Sequence, residues 1–341
     1  MHRKNPSSYR RALLSLLCIF TAVFLTGAVA TTVFFQDFMA AIQAPPEEPL
    51  TQQELDRLLA QDKGPTDAPT MQPEEVTFAP PEAQIGGEDS KLINILLIGQ
   101  DRRPGEERTR SDSMILCTVN PGTKTLTLTS ILRDLYVQIP GYADNRINAA
   151  YAAGGMPLLD KTLETNFGIH VDGNVEVDFG QFSQIIDLLG GVTLEIRADE
   201  AREINRLVWG SSLTAGEQTL NGEQALVYAR IRKLDSDSDF SRTNRQRKVL
   251  TALIQQHRNL NLSTLTALYQ ELLPSINTDL TQYQIVSYGL TVLPILKDLK
   301  IVSQRIPAEE YYEDRTIRGM SVLIADMEKT RELLKATLGE S

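Results

Sequence analysis

Residues 228–250, YARIRKLDSDSDFSRTNRQRKVL, place seven basic side chains and three aspartates in twenty-three positions. Arg230 and Arg232 are two apart, so in extended backbone they project the same way. On the helix expected next, Arg242, Gln246, Val249 and Leu253 form one stripe, with Arg245 beside it. Val249 and Leu253 should face a core, which turns Arg242 and Gln246 inward. Arg247 and Lys248 then fall on the outer side, where a solvated role suffices. Ser241 is the expected cap, and the first helical turn adds its own positive potential. Inward guanidiniums need an anionic partner, because an unpaired buried charge is very costly. Asp235, Asp237 and Asp239 can supply one. The alternative is a diphosphate, since planar guanidinium forks bind phosphate oxygens bidentately. These aspartates are no EF-hand: Phe240 sits where glycine is required and Gln246 where the bidentate glutamate belongs.

A second group lies upstream in GQDRRPGEERTRSDSM (99–114). Asp101 directly follows a buried strand and Asp112 directly precedes the next. Open α/β sheets place ligand sites beyond such strand ends. If the two strands are neighbours, both carboxylates meet at one edge with Arg110 close by. Paired carboxylates without His or Cys suit a hard cation that keeps waters and shares phosphate oxygens, which means Mg²⁺, with Mn²⁺ as the substitute. The plainer reading is a polar loop with Asp112 capping or paired to Arg110. In SILRDLYV, Arg133 and Asp134 interrupt an apolar strand at its end. Asp134 either fixes its neighbour's guanidinium or accepts a proton. Arg133, Asp134 and Asp101 are the catalytic candidates. His2, His170 and His257 form no metal-like cluster.

The elements that must position these groups read as an α/β fold. KLINILLIG is a continuous apolar run ending in glycine, a strand buried on both faces. SMILCTVN and KTLTLTSIL flank Pro121-Gly122 and form a strand hairpin. INAAYAAGG and MPLLDKTLETNFG look helical. VEVDF is a strand, FGQFSQIIDLLGG a helix stopped by glycine, and VTLEI another strand. NGEQALVYA, RTNRQRKVLTALIQQH, 262–273 and 281–293 are helical, then LKIVSQRI is a strand and 321–338 a last helix. Strands alternating with helices predict a mixed central β-sheet sandwiched between α-helices.

Ahead of this domain, MHRKNPSSYRR is basic and residues 12–35 carry no charge. Twenty-four residues rise roughly 36 Å, enough to cross a hydrocarbon core of about 30 Å. Arg3, Lys4, Arg10 and Arg11 precede the run, and Asp37 is the first charge after it. The positive-inside rule puts the N-terminus in the cytoplasm and the rest outside a cell membrane crossed once. A cleaved signal peptide ending at Ala28-Val29-Ala30 is the competitor, but its apolar region would run only about 7–15 residues. The run Ser15–Cys18 is no lipoprotein site, because Leu17 is bulky. Residues 36–90 hold twelve acids against two bases and eight of the sixteen prolines. That composition predicts a stalk, with one short helix at Thr51–Leu59 opened by a capping box of Thr51 and Glu54. The expected layout is therefore 1–35 tail and anchor, 36–90 stalk, 91–341 catalytic domain. Those 36–90 charges account for the whole net charge of −10, so no general basic surface exists for nucleic acid. Cys18 and Cys117 are expected to be inert and unpaired.

The motifs LLIGQDRR, TRSDSMIL, SILRDLYV, RINAAYAAGG, VEVDFGQFSQIIDLLGGV, LNGEQALVYARIR and DFSRTNRQRKVL occur in this order across about 92–254. Together they resemble the LytR-CpsA-Psr family of cell-wall glycopolymer ligases, and past about 255 the resemblance fades. It implies a polyprenyl-pyrophosphate-linked glycan as donor, peptidoglycan as acceptor, and transfer of glycan-phosphate, usually to a muramic acid C6 hydroxyl. By position it implies that Asp101 and Asp112 hold Mg²⁺. It also implies that Arg110, Arg133, Arg230, Arg232, Arg242 and Gln246 surround the pyrophosphate, with Arg245 at a frequently basic position. An apolar tunnel between sheet and helices is implied for the lipid, and a Gram-positive cell envelope as the setting. Leu132 stands where proline is common, Ser241 where glycine is, and Gln100 where serine is. None of these removes a charged group. A hydrolase of the same lipid pyrophosphates would use the same residues, and a membrane-anchored regulator is the non-catalytic alternative.

Overall fold

The apolar run 92–98 forms the inner strand of a six-stranded mixed sheet, and its two faces meet different layers. The structure, a computed structural model, describes residues 48–60, 67–87, 90–100, 111–232, 234, 238–258 and 276–338. All belong to one compact unit, Pro45–Ser341. In chain order its first half contains α1 (Gln52–Leu59), β1 (Ile93–Gln100), β2 (Ser111–Asn120), β3 (Thr125–Ile131), β4 (Tyr136–Val137), β5 (Asn145–Arg146) and α2 (Ile147–Phe167). Next come β6 (Gly173–Asp178), α3 (Phe179–Leu188), β7 (Val192–Ile196), α4 (Ala198–Leu207), β8 (Gly216–Leu220), α5 (Gly222–Arg230) and α6 (Ser238–Gln256). The last stretch holds β9 (Asn277–Thr278), α7 (Gln282–Val292), β10 (Lys300–Ile306), β11 (Tyr312–Ile317), β12 (Met320–Ala325) and α8 (Met327–Leu338).

The sheet order is β10-β3-β2-β1-β6-β9. β1, β2 and β3 run antiparallel in succession, whereas β6 joins β1 and β10 joins β3 in parallel. Period-two alternation sends Leu96, Ile98, Met114, Leu116 and Ile131 to one face, where α2 and α8 seal them into the main core. The opposite face carries Ile95, Leu97, Ile115, Cys117 and Leu128 beneath Leu250 and Ile254 of α6 and Tyr288 and Val292 of α7. Here the cover is thin. Ile95, Leu97, Cys117, Leu250, Ile254, Tyr288 and Val292 are all only half-buried, and α7 has no fully buried residue. So one face of β1 is sealed and the other, also expected to be buried, is incompletely covered by the described residues. Burial among apolar neighbours pushes the Cys117 thiol up to about 12, which keeps it an unreactive thiol at neutral pH.

Several boundaries differ from the sequence reading. Residues 321–338 are a strand and a helix. Ile317 pairs with Met320 across the two-residue turn Arg318-Gly319, both at positive φ (51° and 77°), and β12 ends before Asp326 starts α8. Primed turns of this kind normally announce themselves with Asn or Gly at the first position, and Arg318 hides it. α2 is interrupted at Gly154-Gly155, where Gly155 (φ 64°, ψ −154°) adopts a conformation closed to other residues. The helix expected over 262–273 lies outside the described residues, as do the apolar run 12–35 and the basic tail. Among the described residues no helix is long and apolar enough to cross a membrane.

The described parts of 36–90 do not stand clear as a stalk. Leu55 and Leu59 are buried in the main core, Leu50 donates its amide to Ala153, and Ile85 bridges to Ile169. Met71, Val76 and Phe78 pack under the β11–β12 hairpin. The acids and prolines are real, but single apolar residues spaced among them are enough to seat the chain. The Thr51–Glu54 capping box is present, with Glu54 Oε2 accepting from the Thr51 amide at 2.8 Å.

One buried carboxylate has a consequence for stability. The Asn174 side-chain amide donates to Asp160 Oδ2 (2.8 Å) and to Asp279 Oδ2 (2.7 Å). Burial, partly offset by Asn174 and reinforced by Asp279, raises the Asp160 carboxyl to about 7. Between the unfolded value near 3.9 and this folded value, the native chain keeps a proton that the unfolded chain has released. Stability from this group is therefore full at low pH and falls by about 1.4 kcal/mol per pH unit until pH reaches about 7. Asp160→Asn should flatten that decline and raise the urea midpoint at pH 7.5. Parallel pH profiles for the two proteins would contradict this.

Candidate functional site

The carboxyl end of β1 and the start of β2 build the site's floor. Gly99 pairs with Ser113 and Gln100 with Ser111, so Asp112 is the extra residue of a bulge. Bulges next to functional sites re-aim a side chain, and here the re-aimed group is the carboxylate. Arg133 Nη1 donates to Asp112 Oδ1 at 2.6 Å. From α6, Arg242 Nη2 reaches the Asp112 carbonyl at 3.4 Å. The adjacent Ser113 hydroxyl donates to Gln246 Oε1 at 2.9 Å. Arg242 is 3% exposed, as its place on the inward stripe required.

Arg133 is fixed from both sides. It follows β3 by two residues, and its carbonyl accepts the Asn148 amide at the start of α2. Asp134 Oδ2 lies 3.4 Å from Arg133 Nε, and Asp134 Oδ1 accepts from Arg146 Nη1 at 3.2 Å. Of the two roles open to Asp134, the geometry provides the first: it holds guanidiniums. Arg146 was missed. It is 7% exposed, and burial holds its pKa below the usual arginine range against the pull of Asp134. A cation just ahead of a helix N-terminus opposes the helix dipole, and that misfit was the available signal.

Arg230 is not on extended backbone. α5 continues through Arg230, whose guanidinium lies 4.1 Å over the Phe179 ring, next to the Asp178–Gln100 register pair. Arg230 is thus carried to the same sheet edge by a different local structure. Arg232 is half-buried beyond the helix end. Ser241 is no cap, because α6 begins at Ser238. Phe240 packs on the main core and against Tyr312 (5.3 Å), which draws the extra turn into the helix.

Arg245 turns elsewhere. Its Nε donates to Glu200 Oε1 at 2.8 Å and its Nη1 to the Ile231 carbonyl at 3.2 Å, with both side chains of the ion pair under 5% exposed. Arg247, expected outside, is buried on the sheet side. Asp101, Arg110, Asp235 and Asp237 lie outside the described residues, as does the side chain of Asp239.

Gln100, the residue before Asp101, is held from below. Its amide donates to the Tyr151 hydroxyl, which donates to the buried Glu176 carboxylate, and Asn277 Nδ2 donates to the other Glu176 oxygen at 3.2 Å. No expectation had included this network. Asp112 suits a hard divalent cation in its chemistry: Oδ1 is held by Arg133, while Oδ2 accepts no hydrogen bond from a described residue and its side chain is 30% exposed.

The chain as a whole matches known proteins. The LytR_cpsA_psr family model matches residues 60–338. The chain belongs to the LytR_cpsA_psr family. Within that family, the polyisoprenyl-teichoic acid–peptidoglycan teichoic acid transferase TagU of Bacillus licheniformis is 38% identical over 193 residues, 55% of this chain and 60% of that protein. The regulatory protein MsrR of Staphylococcus aureus is 33% identical over 252 residues, 73% of this chain and 75% of that protein. The chain thus spans under two thirds of TagU. The crystal structure of B. subtilis TagT matches with a TM-score of 0.60 at 28% identity, covering 78% of this chain and 100% of that one. TagT bound to LIIa-WTA matches with a TM-score of 0.61 at 29% identity, covering the same shares. The mixed sheet between helices is the arrangement these LytR_cpsA_psr structures share.

Proposed function

We propose that this protein transfers a glycan-phosphate from a polyprenyl-pyrophosphate carrier to a peptidoglycan hydroxyl. The observation that carries the reading is the Asp112–Arg133–Arg242 cluster at a sheet edge whose neighbouring apolar face the described residues cover incompletely. A diphosphate with a long apolar tail needs both features at once. The name of TagU and the ligand in the TagT structure support the reading. In the reaction the acceptor oxygen bonds to the glycan-side phosphorus and releases its proton to solvent water. The anhydride P–O bond breaks, and polyprenyl phosphate leaves with the electron pair.

The arginines do most of what the chain must do. Arg133 and Arg242 set their guanidiniums against the diphosphate before charge builds on the leaving group, so little reorganisation is needed as the reaction proceeds. Asp134 and Arg146 keep Arg133 from swinging away. Asp112, with Asp101, would hold Mg²⁺, which when bound would offset the charge of the phosphate oxygens. Arg110, Arg230, Arg232 and Gln246 complete the proposed pyrophosphate surround. Segment 12–35 is proposed to anchor the chain, with the catalytic unit outside the membrane.

The test is to incubate the full chain in detergent with lipid-linked glycan, peptidoglycan fragments and Mg²⁺, and to seek the phosphodiester adduct by mass spectrometry. Adduct formation is expected. Release of free phosphoglycan at the same rate with and without acceptor would replace transfer by hydrolysis.

A further inference from the structure

Arg247 has no role in the site above, yet its environment is the most unusual of any arginine described. It is 6% exposed, its Nε donates to Ser303 Oγ at 2.7 Å, and its Nη1 makes no hydrogen bond. No carboxylate among the described residues pairs with it. Burial and a second cation, Arg305, together push its pKa down to about 10, so it stays charged at neutral pH. Holding a guanidinium this deep without a counter-charge is costly, and a like charge beside it adds to the cost.

Arg305 is itself placed with care. Its guanidinium lies 4.1 Å over the Phe240 ring, and its Nη2 reaches Glu309, a rim residue whose side chain is 81% exposed. Ser303 and Arg305 alternate onto the α6 face of β10, and Arg305 pairs in register with Ser130 of β3. Ser130 Oγ is buried and makes no hydrogen bond. Ser303 is exposed, so water reaches this corner. Neither Arg247 nor Arg305 hydrogen-bonds or pairs with Asp112, Arg133 or Arg242.

We propose that Arg247 and Arg305, with the Ser130 and Ser303 hydroxyls, form a second oxyanion subsite that takes a phosphate or phosphodiester group. Two guanidinium forks and two hydroxyls match a tetrahedral group presenting several oxygens, and an anion there supplies the counter-charge that no described carboxylate gives Arg247. The subsite stands on this geometry and not on the transfer reaction. Its phosphate comes either from a monoester end or from a phosphodiester within an anionic polymer.

The full chain in detergent provides the test. The Arg247 Nε–H, sheltered by its bond to Ser303, gives an NMR signal identified by its loss in Arg247→Gln. Inorganic phosphate and dimethyl phosphate are titrated separately at constant ionic strength. The signal is expected to shift with at least one of them. Arg305→Gln should raise the concentration needed at least about tenfold, a loss of roughly 1.4 kcal/mol. Arg133→Gln should leave it within about twofold, a change smaller than 0.5 kcal/mol. A response to dimethyl phosphate assigns the subsite to a polymer phosphodiester; a response to inorganic phosphate alone assigns it to a monoester. The proposal is overturned if neither moves the signal, or if chloride at equal ionic strength moves it as far. It is also overturned if Arg133→Gln abolishes the response as fully as Arg305→Gln does.

Discussion

Replacing Arg133 by alanine lowers the rate of glycan-phosphate transfer by about 10²–10³-fold, the usual cost of removing one preorganised charge-stabilising donor. The side chain is held in advance at 2.6 Å from Asp112 and 3.4 Å from Asp134, so its fork is set before any ligand arrives. Alanine removes that charge and also takes a cation from two carboxylates facing the site; among the described residues Asp134 keeps one, Arg146. Both effects oppose a dianionic leaving group. Arg133→Lys should recover only part of the rate, because an ammonium cannot span two oxygens in a plane. The measurement is kcat/KM for adduct formation alongside a thermal melt. A loss under about tenfold, or 1.4 kcal/mol, would remove Arg133 from the reaction.

Arg245 separates stability from catalysis. Arg245→Met should destabilise the fold by about 3–5 kcal/mol, the cost of breaking a buried ion pair and stranding one partner. Glu200 would be left 3% exposed, with Arg197, at 3.9 Å on the rim, the one other described cation beside it. The double variant Arg245→Met, Glu200→Leu should recover most of the loss, because no buried charge is then left alone. Per folded molecule, transfer should change by less than about tenfold. Urea unfolding of the three proteins checks the first claim and the transfer rate checks the second. A stability loss under about 1 kcal/mol with a transfer defect as large as that of Arg133→Ala would return Arg245 to the pyrophosphate surround.

Much of this was legible in residue patterns, for identifiable reasons. The continuous run of β1, the alternation in β2 and β3, and the stripe Arg242–Gln246–Val249 on α6 each encode burial directly, and all four elements form. Asp112 and Arg133 are both candidates on sequence grounds, but their direct pairing is not legible there, because it depends on a bulge that no periodicity shows. Arg247 was misplaced for a similar reason. The angle assigned it to the solvated side, but α6 runs over an edge strand whose Ser303 reaches up to meet it. Composition misled over 36–90, where prolines and acids outnumber the few apolar residues that decide docking. Leu55 and Leu59 are two such residues, and both are fully enclosed. α4 and β8 were unassigned, since each carries mostly polar residues and gains its shape from packing in the second core.

The most direct test of the central claim is mass spectrometry of lipid retained by the full chain when it is purified from membranes in mild detergent. A polyprenyl diphosphate species, present stoichiometrically and lost in a variant lacking both Arg133 and Arg242, is the predicted result. Retention of ordinary phospholipid alone, or of a prenyl lipid that survives loss of both guanidiniums, would contradict it.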